Sequence, residues 1–188
     1  MAVFAVISDI HGCATALRKT VEIATEKYRA DYFLLLGDIL YHGLRNRIAD
    51  GYDAQEVSGF LNSYRNRIIA VRGNCDAEVD QMMLEFPIMS DSNQLVFGSH
   101  RIFMTHGHLF RPEELPLNEK DLFFSGHTHR VRFEETENSS GNRIICFNPG
   151  SVSLPKEPQY GSFGIFDEHR LKLINLDSGE EVMDEQIW

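Results

Sequence analysis

The stretch VFAVISDIHG, residues 3–12, decides the fold of this chain. It begins with β-branched and aromatic side chains in residues 3–7, which are typical of a buried strand, and Gly12 ends the strand pattern. Asp9 and His11 therefore lie where the strand runs into a loop, and strand alternation points both side chains the same way. A carboxylate beside an imidazole at the carboxyl end of a strand is half of a divalent-metal site, although such a pair alone is also common in surface turns.

Two more segments in the first half of the chain show the same pattern, a buried strand followed by a polar residue. A helix predicted over 14–28 leads to a strand over 32–36, which is followed by Gly37 and Asp38. A second helix, marked by apolar residues between 57 and 64, leads to a strand over 67–71 and then to Arg72-Gly73-Asn74-Cys75-Asp76. Strands that alternate with helices predict a parallel sheet.

After a short helix predicted over 78–86, hairpins replace helices. The predicted hairpins span 94–105, 131–147 and 161–175, a short strand spans 122–124, and the tail to Trp188 adds one edge strand. His106-Gly107-His108 follows the first hairpin, and Gly126-His127-Thr128-His129 follows the short strand. Helices early and hairpins late predict an α/β fold of two packed sheets with helices outside, formed by residues 1–188 as a single domain.

The composition argues against several functional classes. The 188 residues are 43% hydrophobic and 11% aromatic, as in a globular protein, and no apolar run approaches the ~20 residues of a membrane span. The formal net charge of −10 disfavours long polyanions, so a nucleic-acid polymer is not expected as substrate. Three widely spaced cysteines and no visible secretory signal predict a reduced, cytoplasmic protein without disulfide bonds.

Residues with metal-binding side chains follow five of the predicted strands. They are Asp9, His11, Asp38, Asn74, His106, His127 and His129. Taken singly, each has a simpler interpretation, such as a plain turn for Asp38 or a helix cap for Asn74. Together, imidazoles, two carboxylates and an amide suit manganese, iron or zinc rather than calcium. Seven ligands exceed the coordination of one ordinary ion, so two ions that share a carboxylate are expected.

The motifs that carry these residues resemble those of a known family. Asp-x-His at Asp9, Gly-Asp at Asp38, Gly-Asn-x-Asp at Asn74 and Gly-His-x-His at His127 are similar to the motifs of the calcineurin-like metallophosphoesterase superfamily. Thr105-His106-Gly107-His108, Gly126-His127-Thr128-His129 and Asn148-Pro149-Gly150-Ser151 resemble its small bacterial and archaeal phosphodiesterase branch. The resemblance covers residues 3–151. It implies a four-layer α/β/β/α sandwich of two mixed sheets flanked by helices, and hydrolysis of phosphodiester bonds.

The resemblance also implies a binuclear site assayed with manganese, with iron, zinc and nickel as alternatives. One ion would be held by Asp9, His11, Asp38 and His129, and the other by Asp38, Asn74, His106 and His127, with Asp38 bridging. We expect a hydroxide that bridges the ions to attack phosphorus in line, because two cations lower the pKa of bound water toward ~7. The expected substrate is a small phosphodiester.

Cys75 departs from the wider superfamily, in which a histidine at this motif position is thought to protonate the leaving group. A thiol lacks the reach and charge of an imidazole, so acid assistance by Cys75 competes with a space-filling role. The candidate catalytic residues are Asp38, Asn74, Cys75 and Asp76. Arg45 and Arg72 lie near the metal-bearing loops as candidate phosphate ligands or as ordinary surface ion pairs.

Other functions compete with phosphodiester hydrolysis. A protein-interaction scaffold of the same fold, like the retromer subunit, has lost metal ligands, whereas this chain keeps all seven. A nuclease of this superfamily usually adds DNA-facing segments, and none is visible in this short, acidic chain. Hydrolysis of phosphomonoesters and assembly into a homo-oligomer are both compatible with the sequence.

Overall fold

The computed structural model describes residues 2–167 and 169–188. Its helices are α1 (Ala14–Glu26), α2 (Ala54–Asn62) and α3 (Glu78–Met83), with single 3-10 turns at Arg65–Arg67 and Pro112–Glu114. Its strands are β1 (Phe4–Ile7), β2 (Tyr32–Leu35), β3 (Ile68–Ala70), β4 (Ser92–Phe97), β5 (His100–Thr105), β6 (Leu122–Phe124), β7 (Val131–Glu137), β8 (Arg143–Pro149), β9 (Ser162–Phe166), β10 (Arg170–Asn175) and β11 (Glu181–Gln186). The order of helices and strands is the predicted one.

The strands form two mixed sheets. The first has the order β11-β10-β9-β1-β2-β3, in which β1, β2 and β3 are parallel and β9, β10 and β11 are antiparallel to their neighbours. The second has the order β4-β5-β6-β8-β7, with a parallel centre of β5, β6 and β8 and an antiparallel strand at each edge. The predicted edge strand in the tail is β11.

The two sheets pack face to face around large apolar side chains. Val6 and Leu34 from the first sheet meet Phe124 and Phe147 from the second, together with Phe166, and all five are fully buried. Burying one such side chain stabilises the folded state by about 1.5–3 kcal/mol. Because side chains alternate along a strand, the next residues of each strand face outward and need a second cover.

The outer faces of the two sheets are covered differently. On the first sheet, Ala5 and Ile7 lie in one apolar cluster with Leu17 of α1 and Leu61 of α2. On the second sheet, the irregular segment 110–117, which contains the Pro112–Glu114 turn, packs onto the outward-facing aromatic residues. The predicted four-layer sandwich is therefore confirmed, and in the part of the chain that the structure describes its fourth layer is a loop with one 3-10 turn.

The parallel strands bring their carboxyl ends to one end of the sandwich. Backbone hydrogen bonds join the loops there: the Asp9 N–H donates to Gly37 O at 3.2 Å, and the His11 N–H donates to Asp38 O at 2.9 Å. In the second sheet, the Gly126 N–H donates to His106 O at 2.9 Å. The loops that carry the predicted metal ligands are thus fixed to one another before any ion binds.

Candidate metal centre

Most of the predicted ligands have a backbone conformation that is unusual for their residue type. The φ angles of Asp9, His11, Asp38, His127 and His129 are 54°, 47°, 55°, 68° and 57°. A left-handed conformation costs a non-glycine residue of order 1 kcal/mol and is concentrated at functional sites. The prediction that strand alternation points Asp9 and His11 the same way is therefore wrong, because β1 ends at Ile7, before both residues. Their side chains are brought together by the left-handed backbone conformation of two loop residues.

The Asp9 carboxylate has one anchored oxygen and one unsatisfied oxygen. Its Oδ2 accepts from the Ser8 hydroxyl at 2.6 Å and from the His127 backbone N–H at 3.1 Å. Its Oδ1 is fully buried and has no hydrogen-bond partner among the described residues. That oxygen lies 3.3 Å from His129 Nε2 and 3.8 Å from His11 Nε2. A buried carboxylate oxygen without a partner is costly unless a cation binds it.

Asp38 is arranged in the same way, between two imidazoles. Its Oδ1 accepts from the Cys75 backbone N–H at 2.8 Å. Its Oδ2 lies 3.6 Å from His11 Nε2 on one side and 3.4 Å from His106 Nε2 on the other. One oxygen of Asp38 therefore faces both halves of the cluster.

Three histidines present the same ring nitrogen to the cluster. Each uses Nδ1 to contact a backbone carbonyl: His11 with Tyr41 O at 2.9 Å, His106 with Leu36 O at 2.6 Å, and His129 with Leu154 O at 2.7 Å. In a neutral ring, donation from Nδ1–H fixes the tautomer and leaves Nε2 with its lone pair, which is how metal-binding imidazoles are commonly oriented. These carbonyls are backbone atoms of apolar or aromatic residues, so no sequence motif marks them.

The buried charges make the cluster attract positive charge. Burial alone would raise the pKa of Asp9, but its contact with His129 and the charge of His106 lower the pKa overall. Burial would lower the pKa of His106, but contact with Asp38 and the charge of Asp9 raise it to about 9. Without metal, His106 therefore holds a proton near neutral pH, and a divalent cation would displace it.

Asn74 and His127 lie at the outer side of the cluster. Asn74 is exposed, and its Oδ1 is 3.2 Å from His106 Nε2. The His127 ring is half-buried, with its centroid 5.2 Å from that of His106. All seven predicted ligands thus converge on one place, with Asp9, His11, Asp38, His106 and His129 forming its buried part.

Cys75 lies beside this buried part. Its Sγ falls within 4.8 Å of ligand atoms of His11 and Asp38, and its thiol accepts from Asn74 Nδ2 at 3.2 Å. Burial, and then the charge of Asp38, raise the pKa of the Cys75 thiol to about 12. The thiol is therefore neutral near pH 7 in the metal-free protein.

Asp76 does not face the cluster. Its two carboxylate oxygens accept from the backbone N–H groups of Asp38, Ile39 and Gly73 at 2.7–2.8 Å. Burial raises the pKa of Asp76 to about 6, against the opposing effect of these hydrogen bonds. The carboxylate thus ties the loop after β2 to the loop after β3, and its catalytic role stays a prediction.

The two predicted phosphate ligands differ in their surroundings. Arg45 lines a cavity of about 590 Å³ together with Asp38, Asn74, His127 and His129. Arg72 does not line that cavity, and its Nη2 pairs with Asp91 Oδ1 at 2.6 Å. Arg45 therefore lines the cavity beside the candidate ligands, whereas Arg72 forms a surface ion pair, which is one of the two roles predicted for it.

The comparisons with known proteins agree with this geometry. The model of the calcineurin-like phosphoesterase superfamily domain matches residues 1–170. The chain belongs to this superfamily. It is 44% identical over 171 residues to the phosphodiesterase YfcE of Escherichia coli (strain K12), covering 90% of each chain. The solved structure of YfcE, a phosphoesterase from E. coli, matches with a TM-score of 0.91 and 41% identity, over 99% of this chain and 100% of that one.

A more distant match gives information about the fold of this phosphoesterase and not about its activity. Vps29 of Chaetomium thermophilum is 18% identical, with a TM-score of 0.63 over 100% of this chain and 97% of that one. This calcineurin-like phosphoesterase therefore shares its architecture with a protein of very different sequence, and a shared fold does not by itself identify an activity.

The donor set of this phosphoesterase fits divalent metal ions. Two buried carboxylates, each with one oxygen held by N–H or O–H donors, turn their second oxygens toward imidazole nitrogens that are already oriented. Such mixed nitrogen and oxygen ligands suit first-row transition metals. The unsatisfied Oδ1 of Asp9 is the observation that calls for a cation.

Gly126 is required for the position of Asp9. A Cβ at this residue would lie 1.8 Å from Ser8 Oγ and 2.9 Å from Asp9 Oδ2. We expect Gly126→Ala to displace the Ser8–Asp9 hydrogen bond and to weaken Mn²⁺ binding by about 10–100-fold, the effect of losing a supporting ligand contact. Metal titration of the purified variant measures this.

Gly59→Ala is the matched control, because a Cβ at Gly59 in α2 meets nothing within 4 Å. Alanine in a helix interior is favoured over glycine, so this variant should bind Mn²⁺ normally and gain up to about 1 kcal/mol of stability. Normal Mn²⁺ affinity in Gly126→Ala would contradict the assigned role of Gly126.

Proposed function

We propose that this chain is a metal-dependent phosphodiesterase. The observation that carries the proposal is the pair of buried carboxylates, Asp9 and Asp38, each anchored through one oxygen while the other faces imidazole Nε2 atoms. The 44% identity to the phosphodiesterase YfcE supports the same activity. We propose further that residues 1–188 work as a single metallophosphoesterase domain.

Two ions fit the ligands better than one. Asp9, His11, Asp38 and His129 would hold the first ion, and Asp38, Asn74, His106 and His127 the second. Asp38 Oδ2 lies close to His11 of the first group and His106 of the second, which supports Asp38 as the shared ligand. Bound divalent cations supply an activated water and neutralise charge on the phosphoryl oxygens. Manganese is the proposed metal, with iron, zinc and nickel as alternatives.

The remaining residues position the substrate and the loops. Arg45, at the wall of the cavity, meets a non-bridging phosphate oxygen through its guanidinium, which matches phosphate geometry. Asp76 keeps the Asp38 and Gly73 loops together through its hydrogen bonds to their backbone N–H groups. Cys75 fills the space beside Asp38 as a neutral thiol.

The cellular setting is proposed on simpler grounds. No helix in residues 2–167 or 169–188 is both long and apolar enough to cross a bilayer. Cys13, Cys75 and Cys146 are all free thiols. We propose a cytoplasmic protein that acts on small phosphodiesters rather than on nucleic-acid polymers. Light scattering of the purified protein tests whether it forms a homo-oligomer.

The activity is tested by a screen of metal-reconstituted protein. Protein stripped with chelator and loaded with Mn²⁺ is assayed on aryl phosphodiesters, cyclic nucleotides, phosphomonoesters and duplex DNA. We expect the metal-loaded protein to turn over the aryl phosphodiesters and cyclic nucleotides, and to turn over the phosphomonoesters and duplex DNA much more weakly. Without metal, we expect no turnover. Absence of all hydrolysis by protein that carries its full complement of metal would favour the scaffold function instead.

A further inference from the structure

A second, smaller cavity opens beside the metal centre. Its volume is about 210 Å³, and it shares Arg45, Asn46, His129 and Lys156 with the larger cavity. His129 is one of the proposed metal ligands, so the wall of this smaller cavity includes a residue of the metal centre. We call it the basic branch.

The basic branch concentrates positive charge in an acidic protein. Arg45, Arg47 and Lys156 line it, and no carboxylate does. None of these three cations forms an ion pair with any acidic residue that the structure describes. The formal net charge of the whole chain is −10. Three unpaired cations around one cavity therefore make a locally positive surface on a negatively charged protein.

The segment that carries Lys156 is fixed to the metal centre. The Lys156 backbone N–H donates to His129 O at 2.9 Å, and His129 Nδ1 contacts Leu154 O at 2.7 Å. These two contacts hold residues 154–156 against the backbone and ring of one proposed metal ligand. They therefore set the backbone of Lys156 beside a proposed metal ligand, and the exposed Lys156 side chain lines both cavities.

We infer that the basic branch binds a second phosphate of the substrate, so that the preferred substrate is a phosphodiester whose retained arm carries a further phosphate. The inference rests on the proposed phosphodiesterase function. Arginine binds phosphate through paired N–H donors and lysine as a point charge. Bound metals and Arg45 would neutralise the scissile phosphate, so Arg47 and Lys156 are the cations of the branch that are available for a second anionic group.

Two substrates that differ by one phosphate test this inference. They are the 4-nitrophenyl ester of thymidine 5′-phosphate and the same ester with an added 3′-phosphate. In each, water adds to phosphorus and the bond to 4-nitrophenolate breaks, so the reaction and leaving group are identical. We expect kcat/KM to be about tenfold higher for the 3′-phosphorylated ester, mainly through KM, and this preference to fall in high salt.

Variants locate the preference in the branch. Lys156→Gln and Arg47→Gln should each reduce the tenfold ratio about threefold. Lys120→Gln is the matched control, because Lys120 is exposed and precedes β6, at the strand end opposite the site. It should leave the ratio unchanged. An undiminished ratio in both branch variants would overturn the inference.

Binding measurements give a readout independent of turnover. By calorimetry, thymidine 3′,5′-bisphosphate should bind about tenfold more tightly than thymidine 5′-phosphate, and Lys156→Gln should reduce the difference. Single-stranded DNA at equal phosphate concentration should not compete, and competition would assign the branch to a polynucleotide and overturn the inference. Equal turnover of both esters would refute the inference alone, whereas failure to cleave either by metal-loaded protein would refute the phosphodiesterase function.

Discussion

Replacement of Asp38 by asparagine is expected to remove both metal ions and to lower the phosphodiesterase rate by about 10³-fold or more. Asp38 Oδ2 faces His11 at 3.6 Å and His106 at 3.4 Å, so it is the one proposed ligand that serves both ions. Asparagine keeps the size of the side chain but loses the charge that a shared ligand must supply. Metal ions contribute several kcal/mol to the transition state, and each 1.36 kcal/mol is a factor of ten in rate.

Metal analysis and melting temperature separate this effect from misfolding. Metal-free Asp38→Asn should still unfold in one cooperative transition, but at a lower temperature than the wild type, because it removes the buried carboxylate that pairs with protonated His106. It should lose the increase in melting temperature that Mn²⁺ gives the wild type. Asp121→Asn is the control: Asp121 is fully buried but pairs with Arg101 at the other end of β6, so its loss should destabilise the fold without affecting metal content. Two ions per chain in Asp38→Asn would contradict the bridging role.

The second large effect concerns the leaving group. Efficient cleavage is expected for aryl phosphodiesters, whose phenolate leaves without a proton, and poor cleavage for alkyl phosphomonoesters. The pKa of the Cys75 thiol is raised to about 12, which suits a proton donor poorly near pH 7. Positioned general acids contribute about 10²–10⁴-fold, so a gap of that size in kcat/KM should separate the two substrate classes.

Two variants at one position identify the cause of this gap. Cys75→His places an imidazole beside Asp38 and should narrow the gap, since its ring extends into the cavity that Cys75 already lines. Cys75→Ser should change little if the thiol only fills space. The measurement is kcat/KM over a series of leaving groups. A flat dependence on leaving-group pKa in the wild type that is lost in Cys75→Ser would show that the thiol is an effective acid.

The convergence of the seven candidate ligands could be predicted because each of them follows its strand within a few residues. A strand pattern, a glycine and a polar residue are all local features, and parallel topology then brings the strand ends together. The left-handed conformation of Asp9 and His11 could not be predicted in this way. It depends on hydrogen bonds from their backbone N–H groups to the Gly37 and Asp38 carbonyls in a loop distant in sequence.

Other details are also set by contacts that periodicity does not encode. The helix predicted over 78–86 ends at Met83, because Gln81 Nε2 donates to the carbonyls of Leu84 and Phe86 and holds the chain extended. The basic branch joins Arg47 to Lys156, which are far apart in sequence and carry no motif. The sequence alone could not show that these surface cations lie near each other, because the fold brings them together at one cavity.

The two-metal phosphodiesterase centre is tested by titrating Mn²⁺ into chelator-stripped protein and measuring bound metal and hydrolysis of bis(4-nitrophenyl) phosphate in the same samples. We expect no hydrolysis without metal and a rate that reaches its maximum as occupancy approaches two ions per chain. Full hydrolysis by metal-free protein, or a maximal rate at one ion per chain, would contradict a two-metal centre.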